Sequence, residues 1–375
     1  MKIESVVMVV PKVLFLESFY GGSHEVFARG WRDASEFDIE LVTLPARRHR
    51  LRARTAALEF SEMVDDLSPF DVVVVTDLLD LPDLRAAWRG PSVPPVLLYM
   101  HESQITYPGG SDATVDDNLR DVRNCLAADR VVFNSGYHRD GFLGAVGRLE
   151  KELRQDLPAQ EPAPPGWTDR IEAKSTVAYP GVAIAQVGAG APRGVGAVPR
   201  ILWNHRFEWD KQPGVFLKAL RQVAGQGVPF EVVLLGERPR GVAGQGRLIQ
   251  ELGKRVLPVA YIPERSRYLQ EVARCDIVVS ASVQENFGIA VVEAVAAGCV
   301  PLLPDRLSYP EIIPPELHPH VLYRDDSDLA DSLTRQLASL EDLRRRCGGL
   351  PGQMGRFAWP AAAARLDAEI AALIP

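Results

Sequence analysis

The most constraining feature of the chain is a repeated alternation of short apolar runs with segments of helical length. Runs such as Val72–Thr76 and Val96–Met100 are apolar on both faces, as is typical of buried parallel strands. Strands alternating with helices predict a parallel sheet covered by helices on both sides. In the first half of the chain, strands are predicted at residues 12–16, 39–43, 72–76, 96–100, 130–134 and 175–179.

A segment with almost nothing to bury interrupts this alternation. Residues 187–200, VGAGAPRGVGAVPR, consist of Gly, Ala, Pro and Val with two arginines. This composition predicts a flexible linker between domains or a disordered loop. The alternation then restarts, and a total of 375 residues favours two domains. The strands of the second half are predicted at residues 201–204, 231–235, 256–260, 276–280, 300–303 and 321–323.

The sequence therefore predicts an α/β protein with two doubly wound, Rossmann-like domains facing across a cleft. We expect one domain at residues 1–186 and a second domain at residues 201–355. Residues 356–375, which contain WPAAAARLDAEIAALI, predict an amphipathic helix that packs back towards the first domain. A ligand cleft between two such domains suggests a nucleotide-dependent transferase.

The amino-acid composition limits the class of protein and the cellular compartment to be expected. Hydrophobic residues make up 46% and charged residues 24%, as in water-soluble globular proteins, and no apolar run approaches a membrane span. The four cysteines are scattered without metal-ligand spacing, which favours a reducing, cytoplasmic setting. We also expect a monomer without a membrane contact. A net charge of −7 argues against coating of nucleic acid, but the segment RRHRLRAR is a local basic patch.

The densest chemical pattern is SASVQENFGIAVVEAVAAGCVPL. Glu285 and Glu293 bracket Asn286, Phe287 and Gly288, and a helix is predicted to begin near Ile289. A helix N-terminus attracts an anion such as a diphosphate, and Gly288 allows the backbone to approach it. The alternative is a surface loop before a core helix, with two solvated glutamates.

This pattern resembles the donor motif of retaining GT-B glycosyltransferases, through Glu285-x7-Glu293, Phe287-Gly288, Ala294 and Gly298. The resemblance implies that Glu285 contacts the transferred hexose and that Glu293 contacts the ribose. It also implies that Arg206 and Lys211, in ILWNHRFEWDKQP, hold the diphosphate. Two cations at that position would stabilise the charge of the leaving group. The alternative is surface ion pairs with Glu208 or Asp210.

The first half resembles the tRNA-queuosine mannosyltransferases, through FYGGSH, LPARRHRLRART, YMHESQITYP and FNS, and the later SYPEI adds to this. The resemblance implies transfer of mannose from GDP-mannose to the cyclopentenediol of queuosine, at position 34 in the anticodon loop of a tRNA-Asp type, with retention. It implies a nucleotide sugar as co-substrate and queuosine-containing tRNA as partner, with no metal and no other cofactor. The basic segment departs from the family pattern, because arginines stand where aromatics and lysines are expected.

The resemblance implies that residues 1–186 form the acceptor domain and residues 201–355 the donor domain, and it assigns roles to individual residues. The catalytic set is His101, Arg206, Lys211 and Glu285. The donor-binding set is Gly21, Gly22, Asn204, Arg206, Lys211, Gly236, Glu285, Asn286, Phe287, Gly288, Ile289 and Glu293. The set for the acceptor and tRNA is Glu17, Tyr20, Ser23, His24, Arg47, Arg48, Arg50, Arg52, Arg54, Glu102, Gln104, Tyr107, Asn134 and Ser135.

Several of these residues have a plain structural alternative. Glu17 contacts the cyclopentenediol or pairs with an arginine, and Ser23 caps a helix or faces the substrates. His101 lies against the sugar or caps the edge of the core, and the arginines bind phosphates or form a solvated face. For the whole protein, the alternatives are the same fold with a small-molecule or lipid acceptor, a nucleotide-sugar epimerase, and a non-catalytic RNA-binding protein.

Overall fold

A computed structural model of the chain describes residues 10–88, 93–107, 115–155, 166–184, 197–236, 243–257 and 261–374. The chain forms two compact units, of which the first comprises residues 1–181 and 359–375 and the second residues 182–358. Most of the predicted linker, residues 187–196, lies outside the described residues, as do residues 258–260 of one predicted strand.

The first unit is built on a six-stranded parallel sheet with the strand order β2-β1-β3-β4-β5-β6. Its strands are β1 (Lys12–Tyr20), β2 (Asp38–Pro45), β3 (Val72–Thr76), β4 (Val96–Met100), β5 (Arg130–Phe133) and β6 (Ser175–Val177). Its helices are α1 (Ser23–Ala34), α2 (His49–Met63), α3 (Leu81–Ala87), α4 (Val115–Ala127), α5 (Gly136–Gln155) and α6 (Trp167–Glu172). The order reverses direction at β1 and β3, so ligand-binding residues are expected where these strands end.

Strand β1 shows why the sheet is buried on both sides. Leu14 and Leu16 pack into the core beneath one face, whereas Val13 and Phe15 pack into the core beneath the other. All four side chains are fully buried. Because successive side chains of a strand point to opposite faces, an uninterrupted apolar run fits a sheet covered by helices on both sides.

The second unit carries a five-stranded parallel sheet with the order β11-β10-β9-β7-β8. Its strands are β7 (Arg200–Trp203), β8 (Glu231–Leu234), β9 (Ile277–Val279), β10 (Val300–Pro304) and β11 (Leu322–Tyr323). Its helices are α7 (Pro213–Gly225), α8 (Ala243–Leu252), α9 (Arg265–Val272), α10 (Ile289–Ala296), α11 (Tyr309–Ile312), α12 (His318–Val321), α13 (Leu329–Ala338), α14 (Leu340–Arg346) and α15 (Leu350–Gln353). The predicted strand at residues 256–260 is represented in the described part by a single bridge between Val256 and Val232.

The last helix, α16 (Trp359–Ala371), belongs to the first unit. Its Asp367 accepts hydrogen bonds from Nε1 of Trp31 at 2.8 Å, from the hydroxyl of Ser35 at 2.8 Å and from the backbone N–H of Glu36 at 2.9 Å. One carboxylate therefore fixes α16 to the C-terminal end of α1. Among the described residues, no helix has the length and apolar character needed to cross a membrane.

Candidate functional site

The first strand carries a buried carboxylate at its carboxyl end. Glu17 is fully buried, and its Oε1 accepts hydrogen bonds from the backbone N–H of Phe19 at 2.8 Å and from the hydroxyl of Thr76 at 3.3 Å. The same oxygen lies 3.3 Å from Nδ1 of His24. In the described part of the chain, Glu17 therefore contacts these groups. Within this part it does not pair with an arginine, which was the structural alternative for this residue.

The glycine pair that follows has two different structural reasons. Gly22 has a φ of 58° and is the N-cap residue of α1. A Cβ atom on Gly21 would lie 2.7 Å from Cβ of Ala46, just after β2, so the close passage of two chain segments requires a glycine there. Ser23 is exposed and is the first residue of α1, so the N-cap position that the sequence left open for it is occupied by Gly22. The predicted contacts of these residues with substrates remain predictions.

His24 and His101 lie against each other at the end of β1 and β4. Their ring centroids are 4.3 Å apart, and the His101 ring also packs on Phe27 at 4.7 Å and Tyr99 at 4.9 Å. Burial lowers the pKa of His24, but the hydrogen bond and charge of Glu17, with Asp77 and Glu102, raise it to about 9. Burial and the charge of His24 hold the pKa of His101 well below its usual value. At neutral pH, His24 is therefore a cation and His101 a neutral ring.

Two further carboxylates belong to this cluster. Asp77 directly follows β3 and accepts a hydrogen bond at 2.9 Å from the backbone N–H of His101. Burial raises the pKa of Asp77 to about 6, against the lowering effect of His24. Glu102 follows His101, is exposed, and acts electrostatically on both His24 and Asp77. Glu17, Asp77 and Glu102 thus surround the two histidines.

The remaining predicted acceptor residues divide into lining and supporting positions. Tyr20, Gln104 and Tyr107 are partly buried at the end of β1 and after β4, and the backbone N–H of Gln104 donates to Asp121 at 2.7 Å. Asn134 and Ser135 are buried, and the amide of Asn134 donates to the His101 carbonyl oxygen at 2.7 Å. The hydroxyl of Ser135 accepts the backbone N–H of His138 at 3.0 Å. These last two side chains hold the His101 loop and the start of α5.

The basic segment lies at the start of α2. Arg48 has a φ of 51° and is the N-cap residue of the helix. Arg47, Arg48, Arg50 and Arg54 are exposed. Arg52 differs, because its side chain is only 14% exposed and its Nη1 lies 2.6 Å from Oε1 of Glu59 on the same helix. Four arginines are therefore exposed, whereas the Arg52 side chain is mostly buried and pairs with Glu59.

In the second unit, Lys211 connects the segment after β7 to the loop before α10. Its Nζ donates to the carbonyl oxygen of Gln284 at 2.7 Å and lies 3.2 Å from Oε2 of Glu285. It also lies 3.3 Å from Oδ2 of Asp210. Burial lowers the pKa of Lys211, but Glu285, Tyr309 and Asp210 together raise it above the usual value. The structure thus brings together Lys211 and Glu285, two of the four predicted catalytic residues.

Arg206 and Asn204 follow the same strand but have different surroundings. Arg206 is 62% exposed and forms an ion pair with Glu208 at 3.2 Å, which is one of the alternatives that the sequence left open. The amide of Asn204 donates to the carbonyl oxygen of Ala290 at 2.8 Å and to the Tyr268 hydroxyl at 3.2 Å. A Cβ atom on Gly236 would lie 1.6 Å from the carbonyl oxygen of His205, so this glycine permits the close approach of two strand ends.

The loop from Glu285 to Gly288 is fixed from behind by Ser308. The hydroxyl of Ser308 donates to the carbonyl oxygens of Phe287 at 2.8 Å and Glu285 at 3.4 Å. Gly288 has a φ of 97° and is the N-cap residue of α10, which begins at the partly buried Ile289. Asn286 and Phe287 are buried. The loop therefore turns sharply into α10. The N-terminal end of the helix, where the backbone N–H groups point outwards, lies next to this loop.

Glu293 lies in α10 and is engaged by residues of α9. It pairs with the guanidinium of Arg265, and its Oε2 accepts a hydrogen bond from the Tyr268 hydroxyl at 3.3 Å. Burial and the charge of Glu293 raise the pKa of Tyr268 above its usual value. Glu293 is almost fully buried, and a buried charge is costly unless it is paired. Arg265 provides this pairing.

Three residues of these clusters were not found from the sequence. Asp77 had a usable signal, because it is the polar residue directly after the buried strand β3, where α/β proteins bind ligands. Arg265 and Tyr268 had a weaker sequence signal. They lie three residues apart on α9 and therefore share one face of this helix. Which strand or helix that face meets is not encoded locally.

One group among the described residues has the spacing of metal ligands. A carboxylate oxygen of Glu17 and ring nitrogens of His24 and His101 lie within 4.8 Å of one another. Two histidines and a carboxylate suit a transition metal when both rings are neutral. The proton that His24 holds at neutral pH opposes such binding.

The chain has clear relatives. Residues 12–182 match the model of the N-terminal domain of tRNA-queuosine alpha-mannosyltransferases, and residues 196–349 match that of group 1 glycosyl transferases. The chain is 31% identical over 325 residues to the tRNA-queuosine alpha-mannosyltransferase of Drosophila melanogaster, with 82% of each chain covered.

Solved structures show the fold. Sucrose-phosphate synthase from Thermosynechococcus elongatus superposes with a TM-score of 0.71 at 16% identity, covering 96% of this chain and 99% of the other. HepE from Anabaena, in complex with UDP and glucose, superposes with a TM-score of 0.68 at 16% identity and the same coverage. The predicted GT-B fold class is confirmed.

Proposed function

The chain belongs to the tRNA-queuosine alpha-mannosyltransferase family, and from this premise we propose that it transfers mannose from GDP-mannose to queuosine in tRNA, with retention at the anomeric carbon. It is a glycosyltransferase with a hexose as the transferred group. The observation that carries the donor half of the proposal is the contact of Lys211 with Glu285 beside the N-terminus of α10.

The donor residues supply charge and position. As the bond between the anomeric carbon and the diphosphate breaks, negative charge grows on the leaving group. Lys211, Arg206 and the positive N-terminal end of α10 would stabilise that charge, and Glu285 would hold the hexose hydroxyls. Glu293 would accept hydrogen bonds from the ribose. Charge stabilisation of this kind requires no metal.

The acceptor residues supply orientation. His101 is a neutral ring against the end of β4, which suits a hydrogen bond to a sugar or to a hydroxyl group of the cyclopentenediol. The acceptor oxygen forms a bond with the anomeric carbon on the face that the diphosphate leaves, and its proton passes to a phosphate oxygen of the leaving group. In this reaction the enzyme needs no strong base of its own, and positioning supplies much of the rate.

The tRNA would meet the exposed arginines of the basic segment, Arg47, Arg48, Arg50 and Arg54. Contacts of arginine with phosphates position the RNA and do not read its sequence. Tyr20 and Tyr107 are the aromatic side chains that would stack on an unstacked base. A monomer acting in the cytoplasm, away from membranes, completes the proposal.

The proposal is tested by transfer to defined tRNA. Purified protein is incubated with queuosine-containing tRNA or with the same tRNA carrying guanine, and GDP-mannose is compared with UDP-sugars. Nucleosides from the digested tRNA are analysed by mass spectrometry for an added hexose, and α-mannosidase treatment reports the anomer. We expect a hexose only on queuosine and only from GDP-mannose. Absence of transfer from every donor to queuosine-containing tRNA would overturn the proposal.

Matched variants separate chemistry from folding. Glu285→Gln removes the charge beside Lys211, whereas Glu316→Gln removes an exposed carboxylate of the same unit. We expect Glu285→Gln to abolish transfer and Glu316→Gln to retain it, with tRNA binding intact in both. Equal activity of the two variants would contradict the role of Glu285.

A further inference from the structure

Three carboxylates converge at the carboxyl end of three neighbouring strands. Glu17 lies in β1, Asp77 follows β3, and Glu102 follows β4, which are adjacent in the order β1-β3-β4. Glu17 and Asp77 are buried, whereas Glu102 is exposed. The three residues, hereafter the carboxylate cluster, therefore comprise one exposed carboxylate and two buried ones.

The charge of the carboxylate cluster is only partly compensated by His24. His24 carries one positive charge, which Glu17, Asp77 and Glu102 all stabilise. Glu102 and Asp77 also act on each other as like charges. Three carboxylates facing one imidazolium leave a negative potential, which attracts a further cation.

A buried oxygen in this cluster lacks a donor. Oε1 of Glu17 is engaged by Phe19, His24 and Thr76, but Oε2 is buried and accepts no hydrogen bond from any described residue. A buried carboxylate oxygen without a donor is costly, and few such atoms occur in native proteins. A ligand that brings N–H or O–H groups would satisfy it.

We propose that the carboxylate cluster binds a protonated secondary amine of the acceptor. This inference rests on the proposed function, because the cyclopentenediol of queuosine is attached to the 7-deazaguanine ring through an aminomethyl nitrogen. An alkylamine of this kind keeps its proton at neutral pH. Glu102 makes the direct ion pair, and Glu17 and Asp77 supply the potential behind it and accept hydrogen bonds from the adjoining hydroxyl groups.

The carboxylate cluster also accounts for selection of the modified base. Guanine in the same tRNA has no ammonium, so its binding would leave the negative charge of the carboxylate cluster only partly compensated by His24. A site built for a polar group rejects the analogue that lacks it far more strongly than an apolar pocket rejects a smaller group. The protein would therefore recognise queuosine through its charge as well as through its diol.

The test isolates that charge. The wobble base of a tRNA is exchanged either for 7-aminomethyl-7-deazaguanine, which is cationic, or for 7-cyano-7-deazaguanine, which is neutral. Neither has the diol, so neither accepts mannose, and they differ chiefly in the ammonium. We expect the native protein to bind the aminomethyl tRNA about tenfold more tightly, which is the effect of one hydrogen bond to a charged group.

Substitutions in the carboxylate cluster test whether its charges cause the preference for the aminomethyl tRNA. Glu102→Gln and Glu17→Gln should reduce this preference to less than about twofold, because each removes one charge of the carboxylate cluster. Asp83→Asn, at an exposed carboxylate of α3, is the matched control and should keep the full preference. Thermal unfolding confirms that each variant is folded.

Two results would overturn the inference. One is equal affinity of the native protein for both tRNAs, or a preference that persists in Glu102→Gln and Glu17→Gln. The other is one equivalent of a transition metal in the purified protein that is lost in Glu17→Gln. Mannose transfer to queuosine-containing tRNA is scored separately, so a protein that transfers mannose but shows no charge preference refutes this inference and leaves the proposed function standing.

Discussion

Nζ of Lys211 lies 3.2 Å from Oε2 of Glu285, across 74 positions of sequence. The two side chains come from the segment after β7 and the loop before α10. Both are largely buried, with exposed fractions of 12% for Lys211 and 20% for Glu285. Under the proposed function, a lysine held in this way is already oriented towards the diphosphate of the donor, so little reorganisation is needed when negative charge develops there.

Replacing Lys211 by Met is expected to lower kcat by about 100-fold or more. The variant lacks the preorganised positive charge of the lysine that would stabilise the negative leaving group. Single-turnover assays with saturating queuosine-containing tRNA measure the effect. Lys218→Met, at an exposed lysine of α7, is the control and should retain native activity. A loss of less than tenfold in the Lys211 variant would exclude it from the chemical step.

Glu293→Gln is expected to raise the Kd for GDP by about tenfold, since a neutral amide is a weaker acceptor for ribose hydroxyls than a carboxylate. Calorimetric titration with GDP measures this change. Glu264→Gln, one residue before α9 and exposed, serves as the comparison. Unchanged GDP affinity in Glu293→Gln would mean that the carboxylate serves only to pair with Arg265.

The arginines of the basic segment are expected to separate into two groups. Arg47→Ala and Arg54→Ala should each reduce the magnitude of the slope of log K against log salt concentration for tRNA by about 0.7, the value for one lost phosphate contact on a single strand. Arg52→Ala should leave that slope unchanged and lower the thermal stability, because its guanidinium is paired with Glu59 inside α2. Fluorescence anisotropy at several salt concentrations decides between these outcomes, and a reduced slope for Arg52→Ala would contradict them.

The ion pair of His24 with Glu17 predicts a defined pH dependence of stability. The folded-state pKa of His24 is raised from 6.5 to about 9, so its contribution is fully present below pH 6.5 and is lost as pH rises through 9. The destabilisation caused by His24→Gln, measured by urea unfolding, should therefore shrink between pH 6.5 and 9.5. His138→Gln is the control, because burial lowers the pKa of His138 to about 3 and its ring stays neutral throughout this range. A pH-independent difference for His24→Gln would exclude the ion pair.

Gly288→Ala is expected to destabilise the protein by about 1–3 kcal/mol, because its φ of 97° strains any side chain. The added Cβ would also lie 3.3 Å from the Tyr309 ring. Gly214→Ala, in the first turn of α7 with open space around it, should be neutral or slightly stabilising. Urea unfolding compares the two variants. Equal stability would show that the turn into α10 adapts to a side chain.

The strands were predictable because their signal is local. Strands β3 and β4 were predicted to the residue, since each is a buried apolar run bounded by polar residues. The first strand runs to Tyr20, four residues beyond its prediction, because Glu17 and Ser18 are buried polar residues that a hydrophobicity pattern takes for the end of a strand. The buried Glu17 carboxylate is stabilised by donors such as Thr76, which belongs to another strand.

The sequence by itself determined the two parallel α/β units and the membership of a glycosyltransferase family, because apolar periodicity and motif spacing are properties of neighbouring residues. It also indicated Glu17, His24, His101, Lys211 and Glu285 as candidates. Only the tertiary structure decided which of them meet, since hydrogen bonds and ion pairs join residues that are distant in the chain. It placed Lys211 on Glu285, Arg265 on Glu293, and Asp77 beneath His101. It likewise distinguished Arg52 from its exposed neighbours, because burial is a property of the packed helix and not of a basic run.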